Sequence, residues 1–378
     1  MRILLISETY YPTRNGIASV VQLLAEGLVG RGHAVTVATQ HDNRLVSPPA
    51  QYNGVSIRRF AIRGNQHDGL HGDIADFQAF VRSGDWHIQH HHACRIAGFD
   101  ALLDWFPART RPVILTPHVF STWQNPGWQP YHARIALALN HIDAVTCLAE
   151  TADELPFLRY ADYRQIHFIK NGIDPHEADR YALPDLRKTG QINDRFWVLN
   201  VSNHVGLKGH RVLHRLARAL PDAVVTNIGT PIQTHRFGLH RLGISSGCHY
   251  ECAVQSRLIA NFQTNSGQDR ATTLAAFAQA DVFVLTSARE AAPVVLLEAM
   301  AAGLPWVSFP VGNVQALAGG IVVATEAEMR EAICWLRENP ARAQALGETG
   351  RAFVRLNHSH NQMIDAYLTL YHRLIAAH

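Results

Sequence analysis

An α/β chain of two doubly wound parallel-sheet domains is the fold class this sequence predicts, and three observations lead to it. Short apolar runs alternate with helix-period segments along most of the chain. The alternation occurs as two series, separated by a polar stretch that carries Pro175, Pro184 and Gly190. The 378 residues, 47% of them hydrophobic, are too many for one ordinary core and suit two.

The first series opens on residues 2–7, Arg-Ile-Leu-Leu-Ile-Ser, an apolar run typical of a parallel strand buried on both faces. A turn-rich Tyr-Tyr-Pro-Thr-Arg-Asn-Gly follows. From Ile17, the residues Val20, Val21, Leu23, Leu24 and Leu28 keep a helical period, and Gly30, Gly32 and His33 close it before a strand at 34–39. This β-α-β opening makes its two strands parallel. Further strands are predicted at 55–60, 86–90, 113–116, 144–148 and 166–169. The second series places them at 196–201, 223–228, 281–286, 305–309 and 321–324. The predicted domains are 1–178, completed by a C-terminal helix at 360–378, and 190–359. Residues 174–194 read as the connection, and the cleft between the domains is the expected binding site.

Composition removes several classes. A formal charge of +3 gives no basic footprint for nucleic acid. No stretch reaches the roughly 18 apolar residues of a spanning helix, and Glu8 interrupts the start too early for a signal peptide, which predicts a cytoplasmic protein. Peripheral contact with the inner face of the cell membrane is compatible with this. The five cysteines are scattered, which fits reduced thiols. Only Cys248 and Cys252 are close, and one pair without a second is a poor zinc signal, so no metal is predicted. Lysine occurs only at Lys170, Lys188 and Lys208.

The most informative stretch is 281–307. A buried strand is followed by a loop with Glu290 and then by a helix starting near Pro293, with Glu298 early on it. Side chains tilt toward a helix N-terminus, so Glu298 leans toward the mouth that Glu290 borders. The helix N–H groups from Val294 onward favour an anion there.

This stretch resembles the signature of glycosyltransferase family 4, a retaining group with the GT-B fold of two Rossmann-like domains facing a cleft. Two glutamates lie eight apart, and the second opens the helical stretch Glu298-Ala-Met-Ala-Ala-Gly-Leu-Pro305. The resemblance implies that Glu290 sits against the donor sugar and that Glu298 binds the nucleotide ribose. It also implies that the backbone at Ala292, Val294 and Val295 lies along the donor. The loop departs from the family's Gly-Phe-Gly with Ala291-Ala292-Pro293, and Pro293 lacks an N–H.

Other segments agree. Residues 11–33 resemble the family's first loop and helix, where a glycine pair approaches the donor diphosphate; Gly16 is kept and Asn15 takes the other place. Thr116-Pro117-His118 matches a Thr-x-His whose histidine faces the donor sugar. Asn171-Gly172-Ile173-Asp174 matches the motif ending the first domain, and also reads as a turn that starts the connection. In 198–210 the family's Lys-Gly is present as Lys208-Gly209, which points to phosphate binding. Its arginine is absent, with Asn203 or His204 in that region and Arg211 or Arg289 as candidate substitutes. Among His87, His90, His91 and His92, alternation along a strand lets only His90 and His92 converge, and His92 is assigned to acceptor lining. Trp123 and Trp128 either stack on a sugar acceptor or anchor their loop.

The resemblance implies hexose transfer with retention from a nucleotide-diphosphate sugar, UDP-sugar first and GDP-sugar second, to a glycan, lipid-linked or small-molecule acceptor. The implied catalytic set is Glu290, His118 and Lys208. Rival readings are a sugar-nucleotide epimerase on the same fold and a catalytically silent sugar-nucleotide binder. A dinucleotide-dependent oxidoreductase is disfavoured, because residues 6–34 carry no Gly-x-Gly-x-x-Gly.

Overall fold

The computed structural model describes residues 1–13, 15–42, 45–118, 122–151, 154–231 and 247–378. Arg14, within the first-loop motif, lies outside them. The chain divides into two compact units, residues 1–172 with 360–378, and residues 173–359.

The first unit holds strands β1 (Arg2–Ser7), β2 (Ala34–Gln40), β3 (Gln51–Tyr52), β4 (Val55–Phe60), β5 (Ile62–Asn65), β6 (Gly69–Gly72), β7 (Ile88–His92), β8 (Val113–Thr116), β9 (Ala144–Cys147) and β10 (Ile166–Phe168). Eight of them form one sheet in the order β10-β9-β8-β7-β1-β2-β4-β3. All neighbours are parallel except β3 and β4, joined by Asn53-Gly54 with both residues at positive φ, the Asn-Gly chemistry of a tight hairpin. The chain order reverses between β1 and β7, which pair Leu5 with His90. Loops leaving the carboxyl ends there border the crevice in which open α/β sheets take ligands. Helix α1 (Gly16–Gly30) follows β1 and buries Val20, Val21, Leu24 and Leu28. Then come α2 (Ile74–Ser83), α3 (Ala97–Asp100), α4 (Gln129–Leu139) and α5 (Leu155–Tyr160).

The second unit has helix α6 (Leu186–Thr189), β11 (Phe196–Val201), α7 (His210–Ala219), β12 (Ala223–Ile228), α8 (Gly247–Leu258), β13 (Phe262–Asn265), α9 (Arg270–Gln279), β14 (Val282–Leu285), α10 (Val294–Ala302), β15 (Trp306–Ser308), β16 (Gly320–Val322), α11 (Glu326–Glu338) and α12 (Pro340–Asn357). Its six strands, in the order β13-β12-β11-β14-β15-β16, are all parallel, and the order reverses between β11 and β14. Helix α10 buries Leu296, Leu297, Ala299 and Met300, and Gly303 at φ 73° ends it. Cutting Leu296 to alanine would cost about 2–5 kcal/mol, which is the scale that holds this helix in place.

Residues 174–194 are not a free connection. Arg187 donates to Asp281 at 2.8 Å and to the Gln279 carbonyl at 3.0 Å, so the segment is folded onto the second unit. The chain returns to the first unit at α13 (His360–Ala377), where Arg31 at the end of α1 pairs with Asp365 at 2.8 Å. No helix among the described residues is long and apolar enough to cross a membrane.

Candidate active site

In the second unit the site is built where the strand order reverses. The loop leaving β11 carries Asn203 and Lys208, and the loop leaving β14 carries Glu290. Because β11 and β14 are neighbours, these loops emerge side by side. Lys208 Nζ lies 2.6 Å from Glu290 Oε1, with the lysine side chain 29% and the glutamate side chain 14% exposed. Backbone bonds fix both loops: Ala288 N–H donates to Leu207 O at 2.8 Å, and the Thr286 hydroxyl donates to Lys208 O at 2.8 Å.

Two glycines permit this packing. Gly209 has φ 68°, and a Cβ there would stand 2.0 Å from Thr286 O. Gly312 has φ 53°, and its Cβ would stand 2.2 Å from Ala291 O, so the glycine lets a neighbouring turn support the Glu290 loop from below. Asn313 N–H also donates to Ala291 O at 3.1 Å.

Helix α10 begins one residue later than its proline suggests, with Pro293 as the capping position and Val294 first. The N–H of Leu296 is spent on Pro293 O at 3.1 Å, so the groups that can face an anion are those of Val294 and Val295. Ala292 precedes them in the half-buried loop. Glu298, in the second turn, meets Arg270 at 2.6 Å. Arg270 stands first on α9 behind the Asp269 cap and also donates through Nε to Glu177 at 2.8 Å. Burial opposes the Arg270 charge, but the Glu298 and Glu177 carboxylates outweigh it and hold the guanidinium above its usual pKa. Sequence reasoning missed Arg270 and Glu177, since Arg270 follows a polar run and Glu177 falls in the stretch read as a connection.

Asn203 accepts from Thr230 N–H at 3.1 Å, which spends part of its amide on the neighbouring loop. Of the two substitutes for the absent arginine, Arg211 pairs with Glu251 at 2.8 Å on the surface of α7, and Arg289 is exposed beside Glu290.

In the first unit, Asn15 is the cap of α1, its Oδ1 accepting from Ala18 N–H at 2.9 Å, and Gly16 is the first helical residue. Among the described residues, a Cβ on Gly16 would meet no atom within 4 Å beyond its chain neighbours and its own helix backbone, so their packing does not require glycine there. His118 follows β8 at φ 59°, a strained region for a non-glycine residue and one that recurs at functional positions. Burial pushes its pKa down to about 4, so the ring is neutral at pH 7.

The histidine strand runs two residues later than predicted, at 88–92, and His90 and His92 do share a face with ring centroids 4.0 Å apart. His92, the residue assigned to acceptor lining, is fully buried, and its Nδ1 lies 3.4 Å from His118 Nε2. His90 is tied to Tyr371 and Thr116 at 2.7 and 2.8 Å, and His91 packs among Phe99 and Phe106. The half-buried Trp123 packs on Phe157 and Tyr160, and Trp128 stacks on His67 at 4.0 Å, which favours loop anchoring for both.

Two parallel α/β sheets of this order are the architecture of the GT-B fold, and the matches to known protein families show a glycosyltransferase of that type. The chain matches, in order, the Glycosyl transferase 4-like domain over residues 15–172 and the Glycosyl transferases group 1 domain over residues 258–339. Glycogen synthase of Mycobacterium tuberculosis is 25% identical over 344 residues, 83% of this chain and 79% of that protein. EpsF of Bacillus subtilis is 29% identical over 217 residues, 55% of this chain and about half, 53%, of its own length. Among solved structures, sucrose-phosphate synthase from Thermosynechococcus elongatus superposes with a TM-score of 0.79 at 20% identity, covering 100% of both chains. HepE of Anabaena, in complex with UDP-glucose, gives 0.75 at 16% identity over 99% of this chain and 100% of that one.

Proposed function

We propose that this enzyme transfers a hexose with retention from a nucleotide-diphosphate sugar, a UDP-sugar first and a GDP-sugar second, to a glycan, lipid-linked or small-molecule acceptor. The observation that carries the reading is the Lys208–Glu290 pair at 2.6 Å beside the first N–H groups of α10. A cation and free helix N–H groups suit a diphosphate, and a carboxylate beside them suits a sugar that gains positive charge as its bond to phosphate breaks. The UDP-glucose complex of HepE supports the choice of donor class.

In this scheme the sugar C1–O bond to the diphosphate breaks while the acceptor oxygen bonds C1 on the same face, and the leaving phosphate takes the acceptor proton. Lys208 and the Val294 and Val295 N–H groups meet the charge that develops on the phosphate. Glu290 faces the hexose, and neutral His118 donates or accepts a hydrogen bond at the sugar. Glu298, held by Arg270, receives the ribose hydroxyls, and Gly16 lets the backbone approach the diphosphate.

The first test is a thermal-shift screen over UDP-, GDP- and ADP-sugars, because a ligand of the native state raises the melting midpoint. Anomeric analysis of the product by NMR follows. An inverted product removes the retaining scheme. Epimerised donor formed without any acceptor would favour the epimerase.

A further inference from the structure

We propose that His204, His210, Cys248 and Cys252 form a structural zinc site that locks the Lys208-bearing loop to α8. In sequence the two cysteines lack a second pair; in the folded chain two histidines supply it. One ligand atom from each of the four residues lies within 4.8 Å of the others, and His204, His210 and Cys252 are buried. His210 Nδ1 is 3.0 Å from Cys248 Sγ and 3.6 Å from Cys252 Sγ. Around a tetrahedral zinc with bonds of about 2.0–2.1 Å to nitrogen and about 2.3 Å to sulfur, nitrogen–sulfur separations fall at roughly 3.5 Å. The cluster is therefore already close to the required size.

The framework around it is also that of a metal site. Cys248 and Cys252 are one helical turn apart, on one face of α8. His210 opens α7, and its Nε2 lies 2.8 Å from the Ser202 hydroxyl, which donates onward to Asn200 Oδ1 at 2.7 Å. The Ser202 proton is thereby committed to Asn200, so Nε2–H donates to Ser202 and the Nδ1 lone pair points at the two sulfurs. This is how metal-ligating histidines are usually oriented. Asn200 is itself anchored to the Val284 carbonyl at 2.8 Å. The His204 ring has the Asn227 amide 3.4 Å from its Nε2, and its backbone N–H donates to Thr230 O at 3.1 Å.

Two sulfurs and two imidazoles without a carboxylate suit zinc over magnesium, calcium or manganese. Four protein ligands close the coordination shell, so the ion has a structural role and does not enter the transfer chemistry. What it fixes follows from position: His204 and His210 bracket the turn Gly206–Lys208, whose lysine reaches Glu290.

The test uses the full chain with any affinity tag removed, expressed with zinc and desalted under reducing conditions. Elemental analysis should find about one zinc per chain, and the cobalt-exchanged protein should show the strong visible bands of tetrahedral sulfur and nitrogen coordination. Zinc at about 100 times its Kd should raise the melting midpoint of metal-stripped protein by ~5–10 °C. Cys248→Ser, at the more exposed position, should lose most of the zinc while staying folded, and Cys248→His should keep it.

Folded, reduced wild-type protein that retains no zinc after equilibration overturns the proposal. So does retention that is equal in Cys248→Ser and wild type, or a Cys248–Cys252 disulfide whose reduction brings no metal uptake. The metal count uses no donor or acceptor, so its outcome is separate from that of the glycosyl-transfer reading.

Discussion

Removing either partner of the Lys208–Glu290 pair should change nucleoside diphosphate binding in opposite directions. In the proposed reading, Lys208→Ala removes a charged donor to the phosphates, a loss of about 1.5–3 kcal/mol, or roughly 10- to 150-fold in Kd for UDP. Glu290→Gln has the reverse sign. The carboxylate stands 2.6 Å from the ammonium, so a phosphate held by that ammonium lies roughly 6 Å from a second negative charge. That repulsion is worth about 0.7 kcal/mol in bulk water and about 3 kcal/mol at an effective dielectric of 20. With the Glu290 side chain 14% exposed, the value falls between these limits, and UDP should bind ~5-fold tighter, the equivalent of ~1 kcal/mol. Turnover should fall in both variants, by ~100- to 1000-fold for Lys208→Ala. Calorimetric titration with UDP, on variants whose circular dichroism matches wild type, reads both signs. UDP affinity within twofold of wild type in Lys208→Ala, or tenfold weaker binding in Glu290→Gln, would refute the assignment of Lys208 to the diphosphate.

Gly16→Ala should leave the melting midpoint unchanged or slightly higher, since among the described residues nothing beyond its chain neighbours and its own helix backbone lies within 4 Å of the new Cβ; in the proposed reading UDP affinity should drop at least ~10-fold, the scale of one charged hydrogen bond. Unaltered affinity would place the diphosphate elsewhere. Gly312→Ala should destabilise by ~1–3 kcal/mol and lower kcat, because its Cβ meets the Ala291 and Glu290 carbonyls at 2.2 and 2.8 Å and its φ is positive. Denaturant unfolding beside steady-state kinetics checks both effects, and a wild-type kcat would free the Glu290 loop from that support. Burial pushes the His91 pKa down to about 3, so unfolding takes up a proton wherever the pH lies between that value and the unfolded 6.5. Stability is complete above 6.5 and falls as the pH drops, by ~2 kcal/mol at pH 5 from this ring alone. His91→Leu should therefore lose less stability than wild type between pH 7.5 and pH 5. Equal losses in urea titrations would mean that His91 is protonated or hydrated in the native state.

The strands at 196–201 and 223–228 were legible because burial on both faces of a parallel sheet writes a continuous apolar run, and the strand at 55–60 because burial of one face alternates Val55, Ile57 and exposed polar residues. β13 was not, since Phe262-Gln-Thr-Asn is an edge strand paired on one side only and carries a single large apolar residue. β7 was displaced because its second half is three buried imidazoles, which any hydropathy count scores as polar. Glu290, Glu298 and Lys208 were singled out through local motifs, and the structure pairs Lys208 with Glu290. Their neighbours were not, because Arg270 meets Glu177 across 93 positions and His210 meets Cys248 across 38. Such pairings are set by how helices dock on a sheet, which no local spacing encodes.

The absent arginine follows from the same packing. In the family that this sequence resembles, a cation occupies the region of Asn203 and His204. Here Asn203 is bonded to the loop after β12, and His204 is enclosed between Asn227 and the face of α8 that carries Cys248 and Cys252. A guanidinium at position 204 would have to be buried beside His210, a placement that costs several kcal/mol without a carboxylate partner. The position has thus been given to fastening the loop. In the proposed reading the diphosphate charge then rests on Lys208 and on the N–H groups of α10, and Lys208 is only as well placed as the turn that carries it. That turn is held from one side by Thr286 packed on Gly209 and from the other by the histidines that flank it. Loss of zinc should accordingly weaken UDP binding in wild type but add little to the defect of Lys208→Ala. Parallel titrations of both proteins with and without the ion measure that coupling, and equal weakening in the two would show that the metal acts on donor binding by a route other than Lys208.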